Sequence, residues 1–245
     1  LIMSRDIFNL FVFLEVVSIA TAGLLYLKKD FNSSVAGFKY LIALGVISSF
    51  LLIGIGFFYL HSGTLNIDTY LQSNHTTIKG ISMALFLIIM AILLELKPFP
   101  ANGWALDVYQ AAHPGISAMI SSGTATASIF LLYKLLPLSS DNWMPFLIVI
   151  GIVSFVGSNI LGIAQQNSNR LLGYSSIGQI GLMLVILGLA PRLGEHFNFI
   201  FLSIFISHFL AKAGLFWISG IVMKDNIRDW SALRKNKLLL FMFGF

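Results

Sequence analysis

Apolar runs fill most of the chain, and polar clusters interrupt them only at intervals. We place the runs at about 7–27, 37–60, 79–110, 116–136, 143–164, 171–190 and 197–223. A hydrocarbon core roughly 30 Å thick takes about 20 apolar residues per helix. Backbone groups that cannot reach water leave only helices or closed barrels as spanning structures. The run lengths are helical, so the pattern predicts an all-α polytopic bundle with about seven crossings. The third run is too long for one straight crossing. Pro98, Pro100 and Gly103 interrupt it, which predicts a broken helix near 98–103 whose halves meet inside the membrane.

The segment Ser4-Arg5-Asp6 leads straight into the first run with no small-residue cleavage site after it, so no signal peptide is expected. Leu1 opens the chain, and the apolar run Leu238–Phe245 stops where a further span should begin. We therefore expect an excerpt of a longer membrane protein. The connector 62–78, with its Asn and Thr, is expected to be plain solvated loop.

Composition agrees with lipid as the solvent. Of the 245 residues, 57% are hydrophobic and 10% charged, against about 25% charged in soluble domains. Mean hydropathy is +0.88. These values exclude a cytosolic enzyme, a secreted domain and a nucleic-acid binder. The formal charge of +5 therefore reports orientation. Lys28, Lys29, Lys39, Arg170, Lys224, Arg228, Arg234, Lys235 and Lys237 fall on one side of the predicted bundle, and Arg5, Lys79, Lys134 and Arg192 on the other. The first side is expected to be cytoplasmic. Zero cysteines exclude disulfides, thiolate metal sites and iron–sulfur ligation. His61, His75, His113, His196 and His208 are scattered without ligand spacing, so no metal site is expected.

After the loops are accounted for, five ionisable residues remain near or within the apolar runs: Glu15, Glu95, Lys97, His208 and Lys212. A charge at a helix centre costs roughly 2.5–3.5 kcal/mol even on the permissive insertion scale, so such residues normally face a bundle interior and mark an ion path. His208 and Lys212 lie one turn apart on one helical face. The bland alternative is that a Glu–Lys pair ties helices together, or that Lys97 snorkels to an interface. The hydroxyl stripe Ser121, Ser122, Thr124, Thr126 and Ser128 can bond its own helix carbonyls or line a file of water. The pieces Gly178-x-x-Gly181 and Gly157-x-x-x-Leu161 follow no strand, so a nucleotide site is rejected.

The segment Arg170-Leu-Leu-Gly-Tyr-Ser-Ser-Ile-Gly-Gln-Ile-Gly181 resembles a hallmark of the antiporter-like subunits of respiratory complex I, the membrane-bound hydrogenases and the Mrp-type cation/proton antiporters. Pro100–Trp104 with Asp107-Val108-Tyr109 and Ile116-Ser117-Ala118 is similar to that family's broken-helix segment. His208-Phe-Leu-Ala-Lys212-Ala-Gly-Leu-Phe216 resembles its His-x-x-x-Lys-Ala-x-Leu-Phe, and Arg228-Asp229-x-x-x-Leu233-Arg234-Lys235 its cytoplasmic loop.

The resemblance implies a fold of about fourteen helices with inverted repeats. Residues 1–245 would form a single transmembrane domain, an excerpt covering helices five to eleven and the first turns of twelve, with the first repeat over about 5–136 and part of the second over about 143–245. It implies translocation of protons or sodium ions along a hydrated midplane axis through Glu15, Glu95, Lys97, His208 and Lys212, with Ser121, Ser122 and Thr124 on the polar path. Redox chemistry would sit elsewhere: iron–sulfur, flavin or nickel–iron centres belong to partner subunits. Expected partners are further antiporter-like membrane subunits, a peripheral redox arm and lipid, with no nucleic acid, in a bacterial or archaeal cytoplasmic membrane. A Mrp-type antiporter subunit and a non-conducting structural subunit are the competing functions.

Two departures from the family pattern stand out. Alignment on Pro100 and Trp104 puts Glu95 where the family has its broken-helix lysine, with Lys97 two positions on. On an α-helix that step is about 200°, so Lys97 reaches the place only through a change of register, and would then pair with Glu15. Otherwise Glu15 and Glu95 face each other. In the next span Ser121 and Ala125 stand where the family often has Lys or His.

Overall fold

The computed structural model describes residues 3–72, 79–138, 143–223 and 225–230. Within them the chain runs α1 (Ile7–Leu25), α2 (Phe31–Ser62), α3 (Ile67–Gln72), α4 (Lys79–Glu95), α5 (Gly103–Ala111), α6 (Pro114–Ala118), a π-helical turn (Met119–Thr124) and α7 (Ala125–Leu135). It continues with α8 (Trp143–Ile163), α9 (Ser168–Gly188), the one-turn α10 (Ala190–Leu193) and α11 (Phe197–Val222). The expected twelfth-helix start at Leu238–Phe245, together with Lys224, Arg234, Lys235, Lys237 and His75, lies outside the described residues.

Among the described residues six helical stretches are long and apolar enough to cross a membrane: Ile7–Lys28, Phe31–Ser62, Pro114–Leu138, Trp143–Ile163, Ser168–Gly188 and Ala190–Val222. The expected third crossing is the broken one. α4 starts on the face where α2 ends. α5 finishes on the opposite face, where the Ala111 carbonyl accepts from Lys28 Nζ and Ser33 Oγ, each at 2.9 Å. Residues 96–102 join the two halves, as Pro98 and Pro100 predict.

Among the described residues, Lys28, Lys39 and Arg170 of the first basic set make their contacts on one face, and Arg5 and Lys134 of the second set on the other. On one face, Asp107 is held by Lys39 at 2.6 Å and Arg170 at 2.9 Å, and Lys28 meets Asp30 at 3.3 Å. On the other, Arg5 meets Asp68 at 3.4 Å and Lys134 donates to the Ser4 carbonyl.

The connector after α2 is more ordered than its composition suggests. Asn66 opens α3, Ile67 is buried, and Tyr70 packs on Phe58 with ring centroids 5.0 Å apart. An isolated antiparallel bridge joins Asp6 to Asn66, so the open end of the α1–α2 hairpin is tied. A second bridge, Asn167 to Asn226, ties the open end of the α9–α11 hairpin on the opposite face. Asp6 and Asn167 each cap the helix that follows, accepting from Asn9 N and Arg170 N.

Lipid offers no hydrophobic drive between helices, so close approach carries the packing. At Gly151 an added Cβ would meet the Gly181 carbonyl oxygen at 2.6 Å, and at Gly181 it would meet the Gly151 oxygen at 2.7 Å. Gly151 therefore forms, with Gly178 and Gly181 of the rejected fragment, a seam that lets α8 and α9 approach closely. Bulky apolar side chains such as Phe8, Val16, Ile160 and Phe199 are exposed on the outside, as a lipid-facing surface requires.

Candidate functional site

α4 ends at Glu95, and the ending explains how Lys97 comes beside it. Leu96 N still bonds to the carbonyls of Ile92 and Leu93, and Lys97 N to Leu94. Lys97 then adopts φ 59°, the left-handed conformation that closes a helix and that residues other than glycine rarely take. This turn folds the side chain back. Lys97 Nζ donates to the Glu95 carbonyl at 2.9 Å and lies 3.8 Å from its Oε1, with the ammonium 5.6 Å from the Trp104 ring centroid. A cation at a helix C-terminus satisfies an orphan carbonyl and opposes the negative end of the macrodipole.

Glu95 and Lys97 are 6% and 1% exposed. Lys97 thus leaves the helix rather than shifting register along it, and its partner is Glu95, not Glu15. Glu15, in mid-α1, instead accepts from Ser48 Oγ on α2. A cavity of about 290 Å³ lined by Leu14, Ser18, Tyr40, Glu95 and Thr124 separates α1 from the end of α4. α8 braces the break: Ser154 Oγ accepts from Phe99 N at 3.1 Å, and the Phe99 ring lies over Gly157.

The second cluster is built on α9 and α11, which run antiparallel in a fixed register. Lys212 Nζ donates to Ser175 Oγ at 2.7 Å. One turn away His208 Nδ1 lies 2.9 Å from Gln179 Oε1. Toward the helix ends Ser219 Oγ donates to Asn169 Oδ1 at 2.5 Å. Positions one turn apart on one helix thus meet positions one turn apart on the other. His208 and Lys212 are each 1% exposed. His208 Nε2 lies 3.1 Å from the Ser121 carbonyl, within the π-helical turn. π-turns free a carbonyl from the helical ladder and often sit at functional sites.

The hydroxyl stripe divides. Ser122, Thr124 and Ser128 bond their own helix, to Ala118, Ile120 and Thr124 carbonyls at 2.6, 2.5 and 3.0 Å, and Thr126 bonds the Ser122 carbonyl. Ser121 Oγ is buried without a protein partner, as are Glu95 Oε2, Asn102 Nδ2, Tyr109 Oη and Ser176 Oγ. Tyr109 stacks on Phe216 of α11 with centroids 5.4 Å apart. These five buried atoms lie along the elements that join the first cluster to the second, while Thr21 Oγ1, His61 Nδ1 and Ser158 Oγ, on α1, α2 and α8, are likewise buried without partners. Among the described residues no group of His, Asp and Glu could hold a metal ion.

Sequence reasoning missed two members of the site, Gln179 and Ser175. Both lie in the quoted hallmark segment, but only the register of α9 on α11 shows which side chains they meet. A polar cavity of about 360 Å³ opens on the Lys28 face between Lys28, Asp30, Lys39, Asp107, Asn167 and Asp225.

Among the described residues, a helical bundle with six stretches apolar enough to cross a membrane, a broken helix and buried ionisable side chains defines the class: a polytopic membrane protein. The chain belongs to the NADH:quinone oxidoreductase/Mrp antiporter transmembrane family, whose profile matches residues 4–243. It is 29% identical over 262 residues to NADH-quinone oxidoreductase subunit N of Magnetococcus marinus, with 100% of this chain and 53% of the relative covered. It is 29% identical over 255 residues to the chloroplastic NAD(P)H-quinone oxidoreductase subunit 2 of Chlorokybus atmophyticus, covering 98% and 50%. The chain thus spans about half the length of the curated relatives it matches.

Among solved structures it is similar to a chain of the archaeal membrane-bound sulfane sulfur reductase, with TM-score 0.84, 29% identity, and 93% and 48% of the two chains covered. The Mrp complex of Dietzia shares the fold at TM-score 0.82 and 22% identity, covering 89% and 41%. Complex I of Thermus thermophilus shares it at 0.79 and 23%, covering 97% and 52%.

Proposed function

We propose that this chain carries ions, protons or else sodium, across the membrane as part of an antiporter-like subunit whose redox chemistry resides in partner subunits of a complex I-like or hydrogenase-like assembly. The observation that carries the reading is the pair of buried ionisable clusters, Glu95 with Lys97 and His208 with Lys212, held by hydrogen bonds inside a bundle solvated by lipid. Groups so costly to bury are kept where charge must move. The buried hydroxyls of Tyr109, Ser121 and Ser176 and the amide of Asn102 supply ligands for water between the clusters.

In this reading Glu15, on its Ser48 tether, responds to Glu95 and Lys97 at the end of α4, Glu95 lining the cavity beside α1, and His208 with Lys212 carries the ion centrally. The polar cavity at Lys28 and Asp107 gives the path its mouth, on the face we assign to the cytoplasm. The opposed hairpin ties, Asp6 to Asn66 and Asn167 to Asn226, support two inverted halves, α1 with α2 corresponding to α9 with α11. Further membrane subunits and a peripheral redox arm complete the assembly, and flavin or metal centres belong to that arm. The two curated relatives at 29% identity are quinone oxidoreductase subunits, which favours redox coupling over a gradient-driven antiporter.

The test is ion uptake into vesicles by the assembled complex carrying Glu15→Gln or Lys212→Ala. Loss of pumping with intact assembly is expected. Unaltered pumping by both overturns the reading and leaves the subunit a structural one. Mass spectrometry of the purified intact complex then reports whether a redox arm is bound.

A further inference from the structure

His208 meets an oxygen at each ring nitrogen: the Ser121 carbonyl at Nε2, 3.1 Å away, and the Gln179 side-chain oxygen at Nδ1, 2.9 Å away. The two contacts differ in kind. A backbone carbonyl only accepts, so the ring must present N–H to Ser121 whether it is neutral or charged. A glutamine amide offers an acceptor on one side and a donor on the other, and its terminal torsion is broad and roughly two-fold. With Oε1 toward Nδ1, as found here, the amide suits an imidazolium. Turned by half a rotation, its NH2 suits the bare Nδ1 of the neutral ring.

We propose that Gln179 is a positioning residue whose amide turns over each time His208 gains or loses a proton, so that the imidazole exchanges its proton only at Nδ1, on the α9 side. The π-helical turn is what makes this one-sided. It presents the Ser121 carbonyl to Nε2 and pins that hydrogen, so His208 acts as a store loaded and emptied from one edge, not as a two-ended relay. Lys212, on the same helix and hydrogen-bonded to Ser175 on the same face of α9, is the ionisable neighbour. Other titratable groups on elements packed against α11 are Arg170 and Tyr174 on α9, Tyr109 on α5, which stacks on Phe216, Tyr133 and Lys134 on α7, His113 at the start of α6, and Glu195 with His196 before α11.

The proposal rests on the translocation reading, and nitrogen NMR separates the two. The assembled complex is prepared with 15N-histidine, with His208 assigned by its loss in His208→Asn. In wild type, Nε2 is expected to stay protonated between pH 5 and 8 while the Nδ1 signal changes. A neutral ring protonated at Nδ1 overturns the proposal.

Gln179→Glu, which accepts only, is expected to hold the imidazolium through that range and to slow ion uptake at least tenfold. Gln179→Leu, which neither donates nor accepts, is expected to leave Nε2 protonated and slow uptake similarly. Wild-type uptake rates in both variants overturn the proposal. If wild type itself carries no ions, the functional reading fails, while the tautomer seen by NMR still decides the role of Ser121 and Gln179.

Discussion

Lys212 Nζ donates to Ser175 Oγ at 2.7 Å, and the partner is a hydroxyl, not a carboxylate. A hydroxyl accepts from an ammonium and donates to an amine, so this lysine keeps a bond in either charge state. A carboxylate in the same place would favour the charged form alone. Ser175→Ala is therefore expected to slow ion uptake about tenfold, the equivalent of about 1.4 kcal/mol, with assembly on native gels unchanged. Ser175→Thr keeps the hydroxyl and should retain most of the rate. Equal rates for wild type and alanine would show that the bond plays no part in turnover.

Glu95 and Lys97 form a buried pair at 3.8 Å. Removing one partner of such a pair leaves an uncompensated charge and costs about 3–5 kcal/mol, whereas replacing both with neutral groups of similar size is often close to neutral. Thermal unfolding in detergent should show Glu95→Gln and Lys97→Met each well below wild type, and the double variant recovered toward it. All three are expected to lose ion uptake. An additive double variant would mean that the pair is not coupled.

The seam between α8 and α9 has no room for side chains at Gly151 and Gly181, where an added Cβ lands within 2.8 Å of backbone. Gly151→Val or Gly181→Val is expected to cost at least about 1–3 kcal/mol and to reduce recovery of folded protein. Gly45→Ala and Gly123→Ala, where nothing lies within 4 Å, serve as controls and should unfold as wild type does. Matching stability in all four would contradict the close approach.

Asp107 fastens the second half of the broken helix to two others, taking Lys39 from α2 and Arg170 from α9. The cluster is partly open to water, which screens it, so Asp107→Asn is expected to cost only about 1 kcal/mol. Salt should narrow that gap. Unfolding scans at low and high ionic strength check this, and a gap independent of salt would argue against a charge-based tether.

Asp30 caps α2, accepting from Ser33 N at 2.6 Å. That bond, with further contributions from the Ser33 side chain and Lys28, holds its carboxyl below the ordinary value of 3.8. The folded state therefore binds this proton less readily than the unfolded chain. The stability gained is present above about pH 4 and is lost as pH falls through the folded value. Asp30→Asn keeps a capping acceptor without titrating. The difference in melting temperature between wild type and Asp30→Asn should shift against wild type on going from pH 6 to pH 3. A difference constant with pH would show that folding leaves this carboxyl's proton affinity unchanged.

The membrane helices were readable because lipid demands long apolar runs, and the break because Pro98 and Pro100 cannot continue a helix. The separation of Lys28, Lys39 and Arg170 from Arg5 and Lys134 was equally legible, and contacts at Asp107 and Asp68 agree with it. Other features depend on tertiary choices. Rotation by residue count treats Glu95 and Lys97 as helical, but the helix stops at Glu95 and a left-handed turn at Lys97 overrides the arithmetic. The π-helical turn has at most a hint in the run Ser-Ser-Gly-Thr-Ala-Thr, whose hydroxyls compete for helix carbonyls. α3 hides in a polar connector because its signal is only Asn66 with Ile67 and Tyr70. Gln179 and Ser175 became part of the site only through the register of two helices distant in sequence.

Each long hairpin is fastened at both ends, by its own turn and by a single bridge, Asp6 to Asn66 or Asn167 to Asn226. A hoop closed in this way resists splaying more than an open hairpin does. A rearrangement of the bundle would meet least resistance where the backbone is already irregular, at Leu96–Asn102 and Met119–Thr124. Those two stretches are the bearings on which the hoops would turn.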